Sequence, residues 1–86
     1  MTTTNIGQGI GKVTQVIGSV LDAQFSEENL PAIYNALTVQ VERTVLGKTS
    51  NETLWCEVAQ HLGGGQLRAV ALGSTDGLMR GSAIHD

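Results

Sequence analysis

Gly47-Lys48-Thr49 has residue types that match part of a phosphate-binding element. The three residues reproduce the end of G-x-x-x-x-G-K-[ST], in which backbone N–H groups and a lysine hold phosphates. That element also needs a glycine five residues before Gly47, and Glu42 stands there instead. A carboxylate repels phosphate, and no helix pattern follows to aim an N-terminus at one. The run therefore reads as part of a polar turn, Gly47-Lys-Thr-Ser-Asn51. Gly7-x-Gly9-x-Gly11 has the wrong spacing for a dinucleotide fingerprint and no strand before it. Gly63-Gly64-Gly65 reads as a hairpin turn rather than an anion nest.

Other chemistry-bearing side chains are few and scattered. His61, His85 and Cys56 are too irregularly spaced for a closed zinc site. Cys56 and His61 are an odd number of residues apart, so one strand would put them on opposite faces. Cys56 shares an apolar face with Leu54 and Val58 and reads as a buried, inert thiol. Asp22, Glu42, Glu57 and Asp76 lie in different segments with nothing to pair them, and Asp76-Gly77 is a turn dipeptide. Arg68 and Arg80 suit either an interface or a solvated edge. No residue is assigned a catalytic, cofactor-binding or metal-binding role.

The elements that would position such residues are short strands. Lys12–Ile17 is rich in β-branched residues, and Val20–Phe25 alternates, with Leu21, Ala23 and Phe25 on one face. Gly18-Ser19 between them implies a sharp bend or a tight hairpin. Pro31 closes a loop that begins at Ser26, where Ser26-x-x-Asn29 is a weak helix cap. Leu37, Val39 and Val41 alternate with polar residues, as do Leu54, Cys56 and Val58. Gln66–Leu72 and Ala83–His85 complete six strands. No segment keeps a helical period beyond about two turns. The expected fold is all-β: a small six-stranded barrel, closed or nearly closed, over residues 11–86, with residues 1–10 as a flexible leader.

Composition narrows the function classes. The chain has 86 residues, enough for one domain with a modest core. Five basic and eight acidic residues give a net charge of −3, and the basic ones are dispersed, which disfavours nucleic-acid binding. Phe25, Tyr34 and Trp55 are the only aromatics and are too far apart in sequence for a base-stacking platform. A single cysteine forms no internal disulfide and favours a reducing compartment. The start of the chain lacks the apolar core of a signal peptide, and no apolar run reaches membrane-spanning length.

Several blocks resemble the F-type ATP synthase β subunit. Gly11–Gly18 and Val20–Phe25 look like its opening, and Leu30–Leu37, Glu57–Gly63 and Arg68–Gly81 follow in family order. Ile33–Leu37 and Asp76–Gly81 are closest in wording to the plastid and cyanobacterial branch. The resemblance implies the N-terminal six-stranded barrel of that subunit, alternating with α-subunit barrels in a ring that holds the head together. It implies a parent complex that makes ATP from ADP and phosphate, driven by protons, as a peripheral complex on the soluble face of an energy-transducing membrane. It also implies that the phosphate loop, the adenine pocket and the Mg²⁺-binding carboxylates lie C-terminal to this segment. The chain alone is then expected to hold no ATP, ADP or Mg²⁺ and to be inactive. The resemblance is weakest over residues 41–53, and it places Asp86 inside or just after the final barrel strand. The alternative from fold alone is a free-standing barrel that binds a peptide or another partner such as an oligonucleotide.

Overall fold

The computed structural model describes residues 9–86. Most of the leader segment, and Gly7 of the spaced glycines, lie outside the described residues. The strands are β1 (Ile10–Ile17), β2 (Val20–Gln24), β3 (Ala36–Val45), β4 (Lys48–Gly63), β5 (Gln66–Ala71) and β6 (Ala83–His85). All neighbouring pairs are antiparallel, and they close into a barrel in the order β1-β2-β5-β4-β3-β6. The expected all-β, six-stranded barrel is therefore the observed one. Among the described residues only β6 joins β3 to β1, through two pairs on one side and three on the other.

Period-2 alternation builds the core. Val13, Leu21, Ala23 and Phe25 point inward from the first hairpin, and Leu37, Val39 and Val41 from β3. Leu54, Cys56 and Val58 meet them from β4, with Leu67, Ala69 and Ala71 from β5 and Ile84 from β6. No polar or charged side chain among the described residues is buried. A barrel this small is filled by its own side chains.

Three places depart from regular pairing. The β1–β2 register shifts between Val13 and Gln15, and the end of the β5–β6 connection docks there. The Val13 N–H donates to Ser82 O at 2.9 Å, the Gly81 N–H to Val13 O at 2.7 Å, and Arg80 Nε to Thr14 O at 3.0 Å. Strand β4 shifts register against β5 twice, between Val58 and Gln60 and between His61 and Gly63. Such bulges bend a strand, which a closed barrel requires.

One expected boundary is wrong. The polar run Gly47–Asn51 is not a turn: the turn is Leu46-Gly47, and Lys48–Asn51 already belongs to β4, paired with Glu42–Val45. These residues show no apolar alternation because the outer half of the β3–β4 hairpin has no core to face. The Ser26–Asn29 cap signal becomes one short 3-10 turn, Glu27–Asn29, in which Asn29 Nδ2 donates to Ser26 Oγ at 3.0 Å.

Candidate interface on the outer barrel face

The outward side chains of β1, β2, β5 and β4 fall into rows set by the register. In the first row Ile17 faces Val20, Val20 faces Val70, and Val70 faces Glu57. Leu72 continues the outward face of β5 beyond Val70, and its N–H donates to Trp55 O at 2.8 Å. Ile17 is 64% exposed, Leu72 67%, Trp55 53% and Val70 38%, so an apolar stripe crosses four strands in contact with solvent. Contiguous exposed apolar surface of this kind marks an interaction site, whereas single exposed residues do not.

The second row is polar and bounds the stripe. Gln15 faces Asp22, Asp22 faces Arg68, and Arg68 faces Gln60. Arg68 grips Asp22 with both arms, Nε to Oδ1 at 2.8 Å and Nη2 to Oδ2 at 3.1 Å. The bond to the Asp22 carboxylate, and then its charge, push the guanidinium further up from its ordinary value. A shallow cavity of about 320 Å³ lies between Gln15, Ile17, Val20, Asp22 and Arg68, where the two rows meet. An apolar strip with a polar, hydrogen-bonded margin is the anatomy of a protein interface: a desolvated centre and a polar rim.

Tyr34 adds a second feature. It sits in the turn closed by Asn35 N–H to Ala32 O at 3.1 Å, and its φ is 76°, a left-handed value unfavourable for a residue with a Cβ. Its own N–H donates to Val58 O at 2.8 Å, which holds the backbone there. The ring is nonetheless 77% exposed. An aromatic held strained at the surface fits a binding role better than a folding role.

Residues 13–86 match the family model described as the ATP synthase alpha/beta family, beta-barrel domain. The chain belongs to this family. The match covers all six strands apart from the first residues of β1. As the family's N-terminal barrel, the chain is consistent with assembly in an oligomeric head, and the exposed stripe is surface suited to such contacts.

The chemistry-bearing residues singled out in the sequence lie at separate places in the barrel. Gly47 is the second turn residue, Lys48 begins β4, and the Thr49 hydroxyl is 2.9 Å from that of Thr44. No helix follows, so the run does not fit a nucleotide phosphate or its Mg²⁺. Gly64-Gly65 is the turn of the β4–β5 hairpin; Gly65 O accepts the Phe25 N–H at 2.9 Å and Gly64 O accepts Gln24 Nε2 at 2.8 Å. Cys56 is fully buried, and burial pushes its thiol up to about 11. His61 instead turns to Pro31, with Nε2 2.7 Å from the carbonyl oxygen. Among the described residues no three His, Cys, Asp or Glu side chains gather as a metal site.

The sequence alone offers Asp22 no partner and leaves Arg68 to an interface or to solvent. The register makes them partners. The apolar stripe and the exposed Tyr34 are not singled out by the sequence alone. The signal for the stripe was present: once Leu67, Ala69 and Ala71 take the inner face of β5, Val70 and Leu72 must face out.

Proposed function

We propose that this barrel is the N-terminal structural domain of an F-type ATP synthase β subunit, of the plastid and cyanobacterial kind. It packs side by side with α-subunit barrels in an alternating ring and holds the head together while nucleotide chemistry proceeds in segments beyond it. The parent complex binds ATP, ADP and Mg²⁺ and works as a peripheral complex on the soluble face of an energy-transducing membrane. The stripe of Ile17, Val20, Val70, Leu72 and Trp55 carries the reading, because it is the exposed apolar surface that a ring contact needs.

Sedimentation of the chain mixed with the corresponding α-subunit barrel tests it. A mixed complex should form, and Val70→Asp, which buries a charge in the contact, should weaken it about tenfold or more. A mixture that stays monomeric at all concentrations removes the reading. Calorimetry with ATP and Mg²⁺ should give no binding heat, since Gly47-Lys48-Thr49 lies on a hairpin.

A further inference from the structure

The outer half of the β3–β4 hairpin projects beyond the barrel as a two-stranded ribbon, and its two edges differ. On the β3 side, Arg43 Nη2 donates to Ser74 O at 2.6 Å, and a Cβ on Gly77 would stand 2.6 Å from Glu42 O, so the 74–77 segment covers that edge. On the β4 side, β5 pairs only from Cys56 onward, followed by the Leu72 N–H on Trp55 O. Between Lys48 and Leu54 the outer edge of β4 has no strand beside it among the described residues.

The direction of the free groups follows from the turn. A two-residue hairpin closes with a hydrogen-bonded pair, here Val45 and Lys48, and such pairs alternate along the ladder. Lys48, Ser50 and Glu52 therefore bond to β3, while Thr49, Asn51 and Thr53 aim their N–H and C=O groups outward. The Trp55 carbonyl, next in that outward series, already accepts a bond from outside β3. This is an open template for another strand.

We propose that this edge pairs with the same edge of a second copy of the chain, antiparallel about a two-fold axis at Ser50. The axis sets Thr49 opposite Asn51 of the second copy, and both have outward groups, so they exchange two hydrogen bonds. Symmetry repeats the exchange. Lys48 then lies opposite Glu52 of the second copy in a non-hydrogen-bonded pair, the kind that brings side chains closest. An axis at Asn51 would instead set Lys48 against Leu54 and Glu52 against Ser50.

Charge selects the occupant. An edge lysine normally deters strand addition, because an arriving strand must leave it unpaired. Lys48 has no ion pair among the described residues. Glu52 lies 2.7 Å from Arg43 Nε, outside hydrogen-bond geometry, with its carboxylate half-exposed. The same strand arriving antiparallel supplies a glutamate to each lysine, twice, which an arbitrary peptide does not. Such an isologous contact closes as a dimer and does not propagate. It is separate from the outer apolar stripe and does not rest on the ring reading.

Analytical ultracentrifugation of the 86-residue chain over a concentration series, with amide hydrogen exchange, tests this pairing. The chain should dimerise reversibly. The Thr49 and Asn51 amides should gain protection as concentration rises, while those of Ser50 and Glu52 stay protected throughout. Lys48→Glu or Glu52→Lys alone should weaken the dimer about tenfold, since each sets like charges opposite one another twice. Mixing the two variants should restore a 1:1 heterodimer. Asn51→Pro removes an outward N–H and leaves the bonds to β3 intact, so it should give a chain folded by circular dichroism and monomeric by sedimentation. A chain monomeric up to about 1 mM, a dimer indifferent to Asn51→Pro, or variants that fail to pair when mixed would each overturn the proposal.

Discussion

Two hairpins in this molecule share a turn and little else. Leu46-Gly47 joins β3 to β4 and Gly64-Gly65 joins β4 to β5, each as a two-residue loop with φ positive at both positions, the type I′ pattern. At the second position the angles are nearly equal, 80° at Gly47 and 82° at Gly65. Their surroundings are opposite. A Cβ on Gly47 would meet nothing within 4 Å, whereas one on Gly65 would run into the Phe25 carbonyl oxygen. Gly65 is locked into the barrel wall and Gly47 ends a projecting ribbon. Local turn chemistry is the same in both; only the wall makes it structurally demanding.

The contrast between wall and ribbon can be broken most sharply in the core. Leu67→Ala empties a fully buried site in the wall and should cost about 2–5 kcal/mol in urea unfolding, while Leu46→Ala at the ribbon tip should change stability by no more than about 0.5 kcal/mol. Similar costs at both sites would show that the ribbon is packed like the wall.

The glycine pair comes next. Gly47→Ala should cost about 1 kcal/mol, the conformational penalty alone. Gly65→Ala should cost about 2 kcal/mol or more, because the backbone must also move away from Phe25. Thermal melts of the two variants measure the gap, and equal shifts would erase the distinction.

Cys56 reports on the wall through pH. Its thiol is raised from 9.0 to about 11 by burial, so the folded chain keeps a proton that the unfolded chain releases. The native state binds more protons between those values, and stability should fall as pH rises, by about 1.4 kcal/mol per unit between about pH 9 and 11. Denaturation midpoints across this range, compared with Cys56→Ala, isolate the effect. At pH 8 a thiol reagent should label Cys56 only as fast as the barrel opens.

The smallest expected effect sharpens the ribbon side. Leu46 has φ 53° and is 98% exposed, so it carries strain with no compensating contact. Leu46→Asn, which tolerates this conformation, should stabilise the chain by about 0.5–1 kcal/mol in thermal unfolding. A loss of stability would mean that the leucine packs against something.

The sequence by itself determined what depends on neighbours along the chain. Alternation at Leu21-Ala23-Phe25, Leu37-Val39-Val41 and Leu54-Cys56-Val58 placed three strands and their inner faces, because a strand shows successive side chains to opposite sides. Gly18-Ser19, Gly63–Gly65 and Asp76-Gly77 marked turns through their backbone preferences. The missing glycine at Glu42 disqualified the phosphate loop. Tertiary structure alone decided the rest. The closing order, with β6 between β3 and β1, depends on contacts far apart in sequence. Lys48–Asn51 continue a strand although their polar pattern gives no sign of one, because pairing with β3 holds them extended without a core. The Asp22–Arg68 pair and the apolar stripe exist only once the register is set. A side chain's type says whether it prefers water, but the register says which other side chains share its face.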